Sequence, residues 1–387
     1  MTGAARRPLE PGRVRIVATE AIVRAKPGAI NSAALERPLH KLPVGGRAAW
    51  SVQFDEIPKC LLQLELDTGV VGLGELYRDH NWQTVEGIAQ TLVGRSLADL
   101  PRQQLPIAWC REYDGFECAI WDAYAKSIGV RVVDLLGGPV QTRVRVGAWT
   151  GHRLLEEIAP LAQQFAAQGF DCWKFKCDLH DDVVGWCRAI ADAAPEMQVI
   201  LDPNERWERP AEARRRIDGL REVGNVLCLE DPLPRWMLHE YRTLKDYASV
   251  PIALHVSLPY IYYGQRVHNA IEALRLDAVD GFNFNAGLAR FQQLDHIAAA
   301  ANLPCWHGSE VDLGVLEAMY VHSSAAAASC QWPGDIFGRL VREHDLLVEP
   351  LRIEPPYVHL PEGPGLGVEV DWDAVRHFQT ERREFVA

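Results

Sequence analysis

The sequence predicts an α/β chain: a (β/α)8 barrel of the TIM type, preceded by a separate α+β domain. Three observations carry this. From about residue 144 short apolar runs, "VRVGAW", "CWKFK", "QVILD", "VLCLE", "PIALH", "AVDGFNF" and "LPCWH", alternate with stretches of helical periodicity. The last informative residues of successive runs are Lys176, Asp202, Glu230, His255, Asn283 and His307, at steps of 26, 28, 25, 28 and 24 residues. One βα unit fits each step, and consecutive right-handed units build a parallel sheet. Nearly every run also ends on a polar or charged residue. That gathers them at the face where barrel enzymes keep their chemistry, whereas the competing architecture, a doubly wound open sheet, would concentrate them at one crevice.

The elements follow in order. Residues 1–138 read as the α+β domain: "RVRIVATEAIV" and "CLLQLELDTGVVGLGEL" alternate as antiparallel strands do. "FECAIWDAYAKSIG" carries Phe116, Ile120, Tyr124 and Ile128 at helical spacing before Gly129 ends the helix. Residues 139–345 hold the repeating units, with an eighth strand expected around "AAASCQW". The tail, 346–387, has strand and turn character without a further βα unit, so it is expected to return to the first domain.

Composition excludes several classes. A chain of 387 residues that is 48% hydrophobic can bury a large core. A net charge of -12 and the lack of a basic run leave no field to hold nucleic acid. No window approaches the roughly 20 apolar residues of a membrane span, and no apolar segment follows the two arginines near the start. The reading is a cytoplasmic protein without membrane partners. The nine cysteines lack CxxC spacing and several fall inside apolar runs, as reduced core residues do.

The candidate chemistry lies at the strand ends. Lys174 and Lys176, two apart in one strand, emerge on one face; buried together they would lower each other's proton affinity, as a lysine base near neutral pH requires. Two strand-end lysines reaching water are the alternative. Asp202 and Glu230 each close an apolar strand, one unit apart, and suit oxygen ligation of a divalent cation. Asn204 and Asp231 behind them read as loop anchors or caps. His307, beside Trp306, would face such a cation from across the barrel, with Glu310 orienting it or opening the next helix; a hydrogen-bonded core histidine is the alternative. Trp306 and four other tryptophans near strand ends hint at an apolar or cationic part in the substrate, although most tryptophans are packing residues.

These residues resemble the enolase superfamily, and within it the mandelate racemase / muconate lactonizing enzyme group. "GVVGLGE" is similar to the end of that group's capping hairpin, and "FECAIWDAYAKSIGVRVVDLLGG" to its A-x-x-x-A-x-W-D-x-x-x-K…LLGG helix. "KFK" resembles its KxK strand, "LDPNERW" and "LEDP" its next two barrel signatures, and "GPGLGVEVDWD" its C-terminal return.

The resemblance implies a capping domain over a modified barrel, Mg²⁺ on a small carboxylic acid substrate, and removal of the α-proton. Lys176 would be one base, Lys174 its modulator and His307 the acid or base opposite. Asn204, Asn283, Asn285, Trp306 and Glu310 would be substrate contacts. A homo-oligomer, dimer or octamer, is also implied.

Two positions depart from the pattern. His255 stands where a third carboxylate ligand is expected, which would suit Mn²⁺, Fe²⁺, Co²⁺ or Zn²⁺ as well as Mg²⁺, or leave a weak or lost site with His255 touching substrate. Asn283 and Asn285 stand where an aspartate partner for the histidine or a second lysine is usual. The expected activity is a dehydratase of hydroxy or sugar acids or a racemase/epimerase. The alternatives are a muconate-type cycloisomerase and a diverged, non-catalytic barrel. Specificity is expected from loops around residues 26–50 and 78–82.

Overall fold

The computed structural model describes residues 12–34, 43–44, 47–48, 56, 58–256 and 265–386; residues 35–42, 45–46 and 49–50 of the expected 26–50 loop lie outside them. The alternating runs of the first domain form β1 (Val14–Ile22), the short pair β2 (Pro43–Val44) and β3 (Arg47–Ala48), β4 (Pro58–Leu66) and β5 (Val71–Leu76). β1 pairs antiparallel with β4 from Val14↔Leu66 to Ile22↔Pro58, and β5 extends the sheet. Helices α1 (Trp82–Leu92) and α2 (Tyr113–Ile128) follow. An added Cβ at Gly72 or Gly74 would collide with the Ala119 or Gly115 carbonyl of α2. The glycines of "GVVGLGE" thus let helix backbone lie on strand backbone. Gly129, at φ 73°, ends α2 in the left-handed conformation.

After α3 (Val132–Leu135) the chain enters β6 (Arg143–Arg145) and β7 (Ala148–Thr150). "VRVGAW", expected as one strand, is therefore two, because the chain changes sheets at Val146–Gly147. The repeating units are then α4 (Leu155–Ala167), β8 (Cys172–Lys176), α5 (Val183–Ala193), β9 (Gln198–Asp202), α6 (Pro210–Val223) and β10 (Val226–Glu230). They continue through α7 (Leu238–Tyr247), β11 (Ile252–Val256), α8 (Arg266–Arg275), β12 (Gly281–Phe284), α9 (Leu288–Ala300), β13 (Cys305–His307) and α10 (Gly314–Ala326). Strands β7 to β13 form one parallel sheet in sequence order.

The eighth stave is displaced from its expected position. Ala326 still belongs to α10, and the stave is residues 329–335: Cys305 N donates to Ser329 O (2.7 Å), Gly334 N to Arg145 O (2.8 Å) and Asp335 N to His307 O (3.0 Å). Single bridges, Cys305↔Cys330 and Val146↔Gly334, close the cylinder. Pro333 has no N–H to extend a ladder, so no regular strand forms. After α11 (Gly338–Val341), β14 (Ile353–Glu354) and β15 (Tyr357–His359) pair onto β6. Then α12 (Trp372–Phe378) leads to β16 (Gln379–Phe385), which pairs antiparallel with β1.

Buried charge ties that sheet to the barrel mouth. The N-cap of α10 is Leu313, which has no capping oxygen; Glu75 of β5 serves instead, accepting from Leu313 N (2.8 Å) and Leu316 N (3.0 Å). Lys59 of β4 pairs with Glu75 (3.3 Å) and Asp312, and Arg266 with Asp114 (2.8 Å).

Candidate active site

Strand register decides which side chains meet inside the barrel, because parallel partners point to the same face. Lys176 is opposite Asp202, His255 opposite Asn283, and Asn283 opposite Trp306. Trp306 also packs with Cys172, Ile200, Cys228 and Ala253 in the barrel interior. His307 is opposite Phe284, one residue out of phase.

His307 accordingly lies outside the barrel, and its expected role as acid or base is corrected. It is stacked between Phe291 (ring centroids 4.4 Å apart) and Tyr320 (4.0 Å), in the layer of α9 and α10. Its Nδ1 is 2.8 Å from Gly308 O and its Nε2 3.1 Å from Ala286 O, and burial pushes its pKa down to about 4. Glu310 does not orient it either. Arg78 (3.4 Å) and Arg111, both from the N-terminal domain, hold that carboxylate.

Lys174 and Lys176 do enter the interior. The Lys174 ammonium lies 2.6 Å from Asp335 Oδ2, 2.7 Å from Glu230 Oε2 and 3.8 Å from Asp202 Oδ2, while Lys176 Nζ donates to Asp202 Oδ2. The expected mutual lowering of proton affinity is reversed at Lys174. Burial works to lower it, but Asp335, Glu230 and Asp202 together outweigh burial and raise its pKa. Burial works to raise the pKa of Asp202, and Lys176 and Lys174 override it to hold that carboxyl below its ordinary value.

A buried group that could hold a cation overlaps the expected ligand set in Glu230 and His255. Glu230, Asp231 and His255 each bring a ligand atom within 4.8 Å of the others. Asp202, expected as the first ligand, faces the lysines and accepts from Asn204 N (2.9 Å); Asp231, read as a loop anchor, accepts from His255 N (2.9 Å) and pairs with Arg235, and it also brings an oxygen to this group. All three residues of the group are buried. Burial, then the Asp202 charge, pushes Glu230 up to about 7, and burial pulls His255 well below its ordinary value. Among the described residues neither ring nitrogen of His255 has a hydrogen-bond partner, although Nδ1 is 3.2 Å from Glu230 Oε1. Two carboxylates and a neutral imidazole with open nitrogens fit a divalent cation.

The remaining expected contacts are placed as follows. Asn283 Nδ2 donates to Glu230 Oε1 (2.8 Å), and both amide atoms of Asn285 are buried without partners. Asn204 sits at φ 47° with its Oδ1 unpartnered, and the Trp306 ring lies 5.5 Å from Lys174 Nζ. Sequence reading missed Asp335 and Arg235. Arg235 bridges Asp231 and Glu205 (2.8 Å), tying the loops after β9 and β10. The signal for Asp335 was present, a carboxylate ending an apolar stave, but Pro333–Gly334 breaks the strand pattern before it.

Comparison with known proteins agrees with this architecture. Residues 157–374 match the family model described as enolase C-terminal domain-like. The chain is 29% identical over 329 residues to muconate cycloisomerase 1 of Rhodococcus opacus, covering 80% of this chain and 85% of that one. It is 25% identical over 278 residues to o-succinylbenzoate synthase of Bacillus subtilis, covering 70% and 71%. The structure of muconate lactonizing enzyme from Pseudomonas fluorescens, complexed with muconolactone, superposes with a TM-score of 0.79 at 21% identity, covering 96% of this chain and 100% of that one. With its barrel, its strand-rich cap and this match over more than half its length, the chain belongs to the enolase superfamily, in the mandelate racemase / muconate lactonizing enzyme group.

Proposed function

We propose that the chain is an enzyme that removes the proton α to the carboxylate of a small acid, with Lys176 as proton acceptor and Glu230, Asp231 and His255 holding a divalent cation. The observation that carries this reading is the meeting of the lysine pair with the buried acid–imidazole group. When bound, the cation supplies the positive charge that makes an α-proton acidic enough for an amine to remove. Mg²⁺ follows from the family, and His255 suits Mn²⁺, Fe²⁺, Co²⁺ or Zn²⁺ as well.

The chain's own residues divide the remaining work. Lys174, held by three carboxylates, is a fixed cation that faces the developing negative charge. Asp202 orients Lys176. Asn283 is anchored on Glu230, and Asn285 offers an amide to substrate oxygens.

The proton equipment is one-sided. Staves β12 and β13 turn Asn283 and Trp306 inward and His307 outward, so among the described residues that wall carries no second proton carrier. A single lysine can take the α-proton and return it to a departing hydroxyl, which leaves as water. Racemisation needs carriers on both faces. We therefore read the activity as dehydration of a hydroxy or sugar acid. Muconate-type cycloisomerisation is the second reading, favoured by the similarity to the Rhodococcus opacus enzyme.

The test is incubation of the Mg²⁺- or Mn²⁺-loaded protein in D₂O with hydroxy acids, sugar acids and muconates. The expected result is dehydrated or cyclised product with wild type and none with Lys176→Ala. Turnover that survives Lys176→Ala, or epimerised substrate as the sole product, would overturn the reading.

A further inference from the structure

The loop after β7 holds a further buried cation, whose hydrogen bonds to the described residues go to neutral acceptors. Arg153 is 5% exposed. Its Nη2 donates to three backbone carbonyls, of Gly28 (2.8 Å), Ala29 (2.9 Å) and Ile30 (3.1 Å), and its Nε has no partner. The carboxylate that acts on it electrostatically, Glu157, is occupied by Ser32 Oγ (2.9 Å) and Leu154 N (2.8 Å). Glu157 keeps its charge but forms no ion pair with the guanidinium, so among the described residues Arg153 is without the close opposite charge that buried ions ordinarily have.

Arg153 lines a cavity of about 370 Å³ in the seam between the first and last barrel units. Its apolar walls include Pro27, Trp149, Phe165, Phe170, Phe337 and Leu340; Lys26 adds a second cation, and no Asp or Glu lines it among the described residues. The volume is that of a small-molecule pocket, apolar with a few convergent polar groups. None of the residues assigned to proton transfer or cation binding lines it. Trp149, stacked on Phe337 (4.7 Å, 14°), lines the cavity and stands in register with Lys174.

We propose that this cavity is a binding site for a small aromatic or aliphatic carboxylate, with its anionic end on Arg153 and its apolar body against Phe165, Phe170 and Phe337. The segment Gly28–Ser32 forms one edge and is stitched to the same loop by Gly151 N donating to Ile30 O (2.7 Å) and Ser32 N to His152 O (3.0 Å). An occupant would thus touch cap and barrel together.

Benzoate, titrated calorimetrically into the full chain, tests this. The expected result is one site whose affinity falls at least about tenfold in Arg153→Met and in Gln168→Trp, which fills the cavity from the exposed C-cap of α4, and changes less than about twofold in Glu230→Gln. Neutral benzamide is expected to bind at least about tenfold more weakly than benzoate. Absence of benzoate binding at millimolar concentration, equal binding of benzamide, or binding lost in Glu230→Gln but kept in Gln168→Trp would overturn the proposal. If Arg153→Met fails to fold, Gln168→Trp, which leaves the buried arginine intact, decides.

Discussion

Lys174 Nζ lies 2.6 Å from Asp335 Oδ2, a contact between residues 161 apart that joins the second stave to the eighth. It fixes a buried ammonium beside Glu230 and Asp202 and makes Asp335 a positioning residue for the site. Asp335→Asn is expected to lower kcat about tenfold to a hundredfold with KM changed less than about threefold, because the fixed charge loses its anchor. Asp335→Glu should restore most of the loss. Steady-state kinetics on the identified substrate check it; a change in KM alone would contradict the assignment.

Lys176 and His307 separate by side of the barrel wall. Lys176→Ala is expected to reduce proton exchange by about 10²–10⁴, the usual worth of a proton carrier. His307→Gln should leave exchange within about threefold while costing about 1–3 kcal/mol of stability through its lost buried partners. Exchange by NMR and urea unfolding measure the two quantities. Loss of exchange in His307→Gln with stability intact would return the histidine to the reaction.

Cation binding distinguishes Asp231 from Asp202. Mn²⁺ titration followed by electron paramagnetic resonance is expected to show affinity lowered at least about tenfold by Glu230→Gln, Asp231→Asn and His255→Ala, and less by Asp202→Asn. Chelation should abolish turnover and Mn²⁺ restore it. A larger loss from Asp202→Asn than from Asp231→Asn would reverse the assignment.

Acid should destabilise the fold through two buried histidines. His322 accepts from Val133 N at Nδ1 (3.1 Å) and donates from Nε2 to Leu366 O (3.0 Å), and burial lowers it to about 4, as it does His307. A depressed histidine pKa means the unfolded chain binds more protons between about pH 6.5 and 4. Stability is therefore complete above the ordinary histidine value and lost as pH falls, by about 2 kcal/mol per histidine at pH 5. Urea unfolding at pH 7.5 and 5.0 measures this. His322→Gln, which removes the titrating ring, should reduce the loss between the two pH values by about 2 kcal/mol, and a loss unchanged by that substitution would contradict the cause given.

Strand endings were legible because a parallel strand covered on both faces is a continuous apolar run, and it stops where the chain reaches the mouth. Lys176, Asp202 and Glu230 follow from that alone, as does the cap helix ending at Gly129. The eighth stave was harder, since Pro333–Gly334 erases the run and with it the mark that Asp335 should have left.

From the residues alone come the order of the βα units and the residue types that close strands β8 to β13. Which way each end points comes from the packed fold. Alternation along a strand has a period of two but no absolute phase, and pairing supplies the phase: Asn283↔Trp306 inward, Phe284↔His307 outward. Charge is settled the same way. Whether Lys174 is stripped of its proton or holds it depends on carboxylates brought from three other staves, because Coulomb energy follows distance in space and not separation along the chain.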